Sequence, residues 1–522
     1  SMDSLIPALL VLGALLGAGV PAALARLNIR LAMIWAASAV LLTGFWVVTA
    51  SLVSRLPLGF RWEAWGVISA PDELATWFLI DRYSWAFAAG FMTLTSAGVL
   101  TALVRLPEYE WRDLAWLFLL AGFGLAGIFA NAAPAVMMAW AALDLAGIVF
   151  RVTTRLPGRG FDGEVPRLLL NFLGIGLLGF ALSYWGGGSM ALTAIPPGSA
   201  GLILGAAGLR GAAAAYPSAR TGGTEGGPVT ALLWRMAPAV SAMTVLARAG
   251  LAGSGEDRPV LILSIAAVAG MTLGVRWVSS VESNRRTHLW VGGLFSLGVS
   301  AAALSAPGAV TSLAAALLLC GGLVYIPGAE RPGYRWLFVL AAILASGLPY
   351  MPSWETAGPI ETGFWPWGLL FSVTFAAFLA GFIARGDTAD GGESPVVPGI
   401  RSIYIGGLIL LVVGLVLAGW GPMLTDAVLI RSWWGGAVVV CFAFAWYRLR
   451  VPAGRRLIVL FRGPAWQAPA AWLHRFRRRG LAAAGFGLNL IARLLEGEAA
   501  MLWALVLLSL MVSLFVQMGL GI

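Results

Sequence analysis

Runs of about twenty apolar residues, each long enough to cross the hydrocarbon core of a bilayer, recur from one end of this 522-residue chain to the other. Nothing else in the sequence restricts the fold so severely. In lipid every backbone N–H and C=O must find a partner inside the protein, which leaves helices or closed barrels. Runs of this length are helical. Only 11% of the residues are charged and 59% are hydrophobic, whereas a soluble domain carries about a quarter charged residues. The expected fold is an all-α polytopic membrane protein.

Reading the apolar runs against glycine, proline and arginine breaks predicts about sixteen spans. They lie near residues 4–25, 31–53, 76–104, 111–130, 133–151, 166–185, 198–215, 229–250, 259–279, 288–305, 309–326, 336–350, 364–384, 402–421, 431–448 and 499–519. The first run has no basic residue before it, unlike a secretory signal. Arginines gather in alternate loops: Arg26 and Arg30, Arg105 and Arg112, Arg151 to Arg167, Arg220, Arg285 and Arg286, Arg331 and Arg335, Arg385 and Arg401, and the stretch 448–479. The positive-inside rule then places both termini outside a bacterial inner membrane. It also accounts for the net charge of +10 without nucleic acid. Residues 449–498 are basic and amphipathic, with Trp466, Trp472 and Phe476 among arginines, and read as a cytoplasmic interfacial segment before the last helix.

Two proline positions recur in comparable places, Pro217 after span seven and Pro349 with Pro352 at span twelve. Broken helices at corresponding points are the sequence mark of inverted repeats. The expected division is therefore 1–110 (helices one to three), 111–250 and 259–384 (two inverted five-helix repeats), 402–448 (helices fourteen and fifteen), 449–498 (interfacial segment) and 499–522 (last helix).

Two cysteines and two histidines lie far apart, with no metal-ligand spacing, phosphate loop or dinucleotide fingerprint. No cofactor, metal or catalytic site of the chain's own is expected. Charges inside spans are costly and usually face a bundle interior. Asp144 and Arg210 stand out as a candidate buried pair, and Arg235, Arg248 and Arg276 read equally as snorkelling anchors or channel residues.

Residues 208–250, GLRGAAAAYPSARTGGTEGGPVTALLWRMAPAVSAMTVLARAG, are similar to the most diagnostic segment of the antiporter-like subunits of respiratory complex I, Mrp antiporters and membrane-bound hydrogenases. Arg210 falls on that family's glycine-lysine pair, Pro217 on its proline break, Glu225-Gly226 on its E-G, and Leu246-Ala247-Arg248 on its closing L-A-R. Further likenesses follow in order: WFLIDRYSWAF, MMAWAALDLAGIVF with Asp144 on a glutamate, VESNRRTHLWVGGLFSLG with Arg285 and Arg286 on a basic pair, and SGLPYMPSW. The resemblance covers about residues 76–360 and implies an ion-translocating subunit. It assigns Asp144, Arg210, Glu225, Glu282, Arg285 and Arg286 to the ion pathway, with helix breaks at Pro217, Pro349 and Pro352. Glu282 beside its two arginines reads equally as a loop salt bridge.

The departures are chemical. The family's lysine releases protons, but arginine, with a pKa above about 12, does not. All 34 basic residues are arginines, Trp234 replaces a family histidine, and span eleven, TSLAAALLLCGGLVY, has no histidine pair. The resemblance thus implies a degenerate member. It couples proton or cation flux to at least one protein partner, and fits the membrane subunit of a DAB-type inorganic-carbon accumulation complex with a zinc, carbonic-anhydrase-like partner. The alternative is a non-pumping structural subunit of a complex I-like or hydrogenase-like assembly.

Overall fold

The computed structural model describes residues 2–61, 76–154, 165–183, 191–216, 227–252, 260–279, 286–326, 328–329, 332–348, 350–361, 365–386, 398–420 and 436–448. The chain opens with α1 (Met2–Gly17), α2 (Gly19–Arg26) and α3 (Leu31–Ser51). A short antiparallel hairpin, β1 (Leu58–Arg61) and β2 (Thr76–Ile80), precedes α4 (Arg82–Ala102). Then come α5 (Trp111–Phe129), α6 (Ala133–Thr154), α7 (Val165–Ser183), α8 (Pro197–Ala215) and α9 (Pro228–Ala252). They are followed by α10 (Val260–Ser279), α11 (Arg286–Ala303), α12 (Pro307–Ala315) and α13 (Gly321–Tyr325). The described chain continues through α14 (Arg335–Ala345), α15 (Gly358–Glu361), α16 (Trp365–Arg385), α17 (Pro398–Trp420) and α18 (Gly436–Arg448).

This is a multi-pass helical membrane protein. Among the described residues ten helical segments are long and apolar enough to cross a membrane, and four shorter apolar helices accompany them. Apolar residues at helical spacing face outward on the peripheral helices, such as Leu9, Leu12 and Leu16 on α1 and Leu261, Ile265 and Val268 on α10. The interfacial segment at 449–498 and the span near 499–519 lie outside the described residues.

One span differs from its sequence reading. The run starting at Thr76 is extended as far as Ile80, because β2 pairs with β1, and the helix begins only at Arg82. Asp81 fixes that start as a capping box: its carboxylate accepts from the Ser84 backbone N–H, while the Asp81 N–H donates to Ser84 Oγ. Three indoles then bind α3 to α4, with Trp35 Nε1 donating to Val99 O, Trp46 Nε1 to Thr93 Oγ1 and Trp85 Nε1 to Thr49 O.

α8 is rich in glycine and alanine, which lets backbones approach closely where lipid supplies no hydrophobic drive. At Gly211 a Cβ would collide with the Phe295 ring of α11, so only glycine fits beside Arg210. α8 stops at Ala215 with Tyr216 extended (φ −63°, ψ 129°), the backbone a following proline enforces. Pro217 itself lies outside the described residues.

Two interruptions mark the later helices. Between α12 and α13 the chain makes a π turn, Ala316–Cys320, whose Leu317 carbonyl accepts from Trp290 Nε1. α14 ends at Ala345, and the described residues from Ser346 to Ser353 are non-helical, with positive φ at Gly347 (75°) and Tyr350 (63°). Pro352 is buried in this turn against Gly419 of α17, and Pro349 lies outside the described residues.

Candidate ion site

The structure brings Asp144 of α6 and Arg210 of α8 together. Arg210 Nη1 donates to Asp144 Oδ2 at 2.9 Å and Nη2 to Oδ1 at 3.1 Å, a two-bonded fork. The arginine side chain is wholly buried and the aspartate retains 16% exposure, so the carboxylate is the less enclosed member of the pair.

Trp140 and Asn171 hold this pair in place. Trp140 sits one turn before Asp144 on α6, so both point to one face. Its carbonyl accepts from Arg210 Nη2 at 3.0 Å, and its ring lies under the guanidinium at 4.8 Å. Asn171 of α7 donates from Nδ2 to Asp144 Oδ1 at 2.7 Å. Asp144 therefore receives three donors from two neighbouring helices. Charge-assisted bonds of this kind are about twice as strong as neutral ones.

Trp140 also carries the network onward, because its indole N–H donates to Ser241 Oγ of α9 at 2.8 Å. One turn before Ser241, Pro238 removes an amide from the interior of α9. The freed acceptor is the carbonyl four residues earlier, that of Trp234. Arg167 Nη2 donates to it at 3.2 Å, which supplies a partner from outside the helix for the freed acceptor.

A second buried cation closes the far end of α9. Arg248 does not snorkel. It is fully enclosed, donating from Nη1 to Ala130 O at 2.6 Å and from Nη2 to Leu79 O at 3.4 Å, with Asp81 Oδ2 at 4.0 Å. It ties β2 and the end of α5 to α9. The sequence could not separate this from an anchor, since only the segments at Leu79 and Ala130 shut the residue away from the interface.

Of the remaining candidates, Glu225, Glu282 and Arg285 lie outside the described residues, and Arg286 opens α11. Sequence reasoning missed Asn171, Trp140 and Ser241. A neutral polar residue in an apolar run gives little signal, although Asn171 is the single amide within its span.

The later helices are built differently. Trp277, Trp290, Phe338, Phe378 and Phe382 form a contiguous ring cluster with centroids 4.9–6.4 Å apart, and Arg385 stands over Trp277 at 4.0 Å. No aspartate or glutamate occurs within α10, α11, α12, α13, α14 or α16.

A buried ion pair thus joins two membrane helices, α6 and α8, beside a proline-containing third, α9. The chain shares its fold with chains of three solved membrane complexes. It is similar to a chain of the Mrp complex from Dietzia sp. DQ12-45-1b, with a TM-score of 0.65 and 15% identity over 98% of this chain and 62% of that one. It thus spans less than two thirds of that Mrp chain. A chain of the membrane-bound sulfane sulfur reductase, an archaeal respiratory membrane complex, matches with a TM-score of 0.64 and 14% identity over 97% and 99% of the two chains. A chain of respiratory complex I from Thermus thermophilus matches with a TM-score of 0.57 and 16% identity over 79% and 98%. No protein-family model matches the sequence, and no curated protein does. All three structures are of multi-subunit complexes.

Proposed function

We propose that the chain is an antiporter-like membrane subunit that moves a cation, in the simplest case a proton, and couples that flux to a partner subunit. The observation that carries this reading is the Asp144–Arg210 pair: a partly exposed carboxylate within a membrane helix, bonded to a cation that cannot give up its proton. Asp144 is the ion-exchanging group. Arg210 is a fixed positive charge that sets the field at the site and excludes a second cation while the carboxylate is paired with it. Glu225, Glu282, Arg285 and Arg286 complete the pathway, and the breaks at Pro217, Pro349 and Pro352 separate helices that shift against each other. The two five-helix groups, 111–250 and 259–384, are inverted repeats, and both termini face the outside of a bacterial inner membrane.

The partner in this proposal is a zinc-binding, carbonic-anhydrase-like subunit, so that ion flux drives inorganic-carbon accumulation. One observation favours the other reading, a structural subunit without pumping: the ring cluster around Trp290 is built from α10, α11, α14 and α16, none of which holds an aspartate or glutamate. The deciding experiment reconstitutes the full chain with its co-purifying partner in proteoliposomes and follows internal pH. Flux that disappears in Asp144→Asn supports coupling. Wild-type flux in that variant, or none in the intact complex, leaves the structural role.

A further inference from the structure

α9 carries a polar stripe along almost its whole length. Thr230, Trp234, Ser241, Thr244 and Arg248 occur at offsets of 4, 11, 14 and 18 residues from the first. At 100° per residue they fall within an arc of about 80°, and the stripe runs about 27 Å. That is close to the thickness of a bilayer's hydrocarbon core, about 30 Å. All five residues are buried, so the stripe faces protein rather than lipid. Contacts show which protein. Trp234 packs on Phe150 of α6 and Trp116 of α5, Ser241 meets Trp140 of α6, and Arg248 binds the end of α5.

Several polar atoms on or beside this stripe have no protein partner among the described residues. On α9 they are Thr230 Oγ1, Trp234 Nε1 and Arg248 Nε. Beside it are Arg210 Nε and Asn171 Oδ1 at the ion pair, and Asn131 Oδ1 next to the carbonyl that Arg248 holds. Donors and acceptors are both present at each of the two arginine centres. Buried polar groups left unpaired by protein are satisfied by internal water. Unpaired atoms occur at both ends of α9 and at the ion pair between them, and elsewhere at Trp354 Nε1, whereas the ring cluster of the later helices is apolar apart from Arg385 over Trp277.

We infer that the entire membrane crossing lies within the earlier helices, as a water-lined path along the polar stripe of α9 from Thr230 to Arg248. Trp140 joins the path at mid-membrane to the Asp144–Arg210 pair. The later helices pack around Trp277, Trp290, Phe338, Phe378 and Phe382 and carry no part of the crossing beyond Arg286, which opens α11. This rests on the ion-coupling reading for its purpose, but the hydration of the stripe is tested separately from flux.

The test is X-ray hydroxyl-radical footprinting of the wild-type chain in its complex, read by peptide mass spectrometry. Radicals born from internal water oxidise the side chains that touch it. Trp234 and Trp140 are expected to be modified. Met236 and Met243, fully buried on other faces of the same helix, are intrinsically reactive and are expected to stay unmodified, as is Trp290. Modification of Met236 and Met243 at the rate of Trp234 overturns the stripe, as does an unmodified Trp234. Modification of Trp290 overturns the exclusion of the later helices from the crossing. In parallel, Thr230→Val and Ser241→Ala are expected to lower flux about tenfold, and Trp290→Phe to leave it unchanged. Wild-type flux in both α9 variants overturns the route. A hydrated stripe in a complex without any flux overturns the coupling reading and leaves the stripe standing.

Discussion

Two buried arginines sit over two buried tryptophans in this molecule, Arg210 over Trp140 and Arg385 over Trp277. Around the first, α6 contributes a carboxylate and a carbonyl and α7 an amide. Around the second, α10, α11, α14 and α16 contribute rings. Both arrangements bury a cation's stem and desolvate its head, yet only the first places a titratable oxygen within those helices. The guanidinium–indole contact is therefore a packing solution common to both regions, and the function proposed here depends on what surrounds it. An arginine inside a span identifies a bundle interior without identifying an ion site.

Substitutions can break that comparison. The largest effect is expected for Arg210→Ala, which leaves Asp144 with an uncompensated charge. Removing one partner of a buried pair costs about 3–5 kcal/mol, read as a fall in thermal stability of the detergent-solubilised complex together with loss of flux. Arg210→Lys keeps the charge, loses the fork, and is expected to fall between. A double variant, Arg210→Ala with Asp144→Ala, should cost less than the two single changes summed, and additivity would show that the pair is not coupled.

Trp290→Ala is next. Emptying a buried indole site in the ring cluster costs about 3–5 kcal/mol at most, so stability should fall nearly as far as for Arg210→Ala. Flux per assembled complex should not change. A flux defect at matched assembly would show that the two regions act together. Asn171→Leu removes one bond to the carboxylate, worth about 1.5–3 kcal/mol, and should alter the pH dependence of flux more than its maximum. The smallest effect is expected for Arg385→Met, where the contact with Trp277 is worth about 0.5–2 kcal/mol. A stability loss as large as that of Arg210→Ala would erase the distinction drawn between the regions.

Long apolar runs made the helices readable, because twenty residues without charge have few alternatives in lipid. β2 was harder to read. TWFLI continues the apolar run into α4, and hydropathy does not distinguish a strand from a helical turn over five residues. The span reads from residue 76, and the capping box that starts the helix at Asp81 emerges only in the structure. At the site, Asp144 and Arg210 were legible because a charge in a span demands an explanation. Asn171, Trp140 and Ser241 were not, since their importance comes from meeting across α6, α7 and α9. Pro238 was visible, but its effect depends on Arg167 arriving from another helix to take the freed carbonyl.

The π turn at Ala316–Cys320 sets the phase of everything after it. A π turn holds one residue more than the α turn it replaces, and one residue is worth about 100° of rotation around a helix. Gly321 now faces Trp290 and Met236, and Gly322 faces Leu94 and Leu411. Deleting a single residue between 316 and 320 would restore α geometry and turn both glycines off those contacts. Larger side chains would be driven into the space they keep open. The span thus behaves as a dial whose setting is fixed by one surplus residue, and the close fit of α13 against α4, α9, α11 and α17 depends on that residue being present.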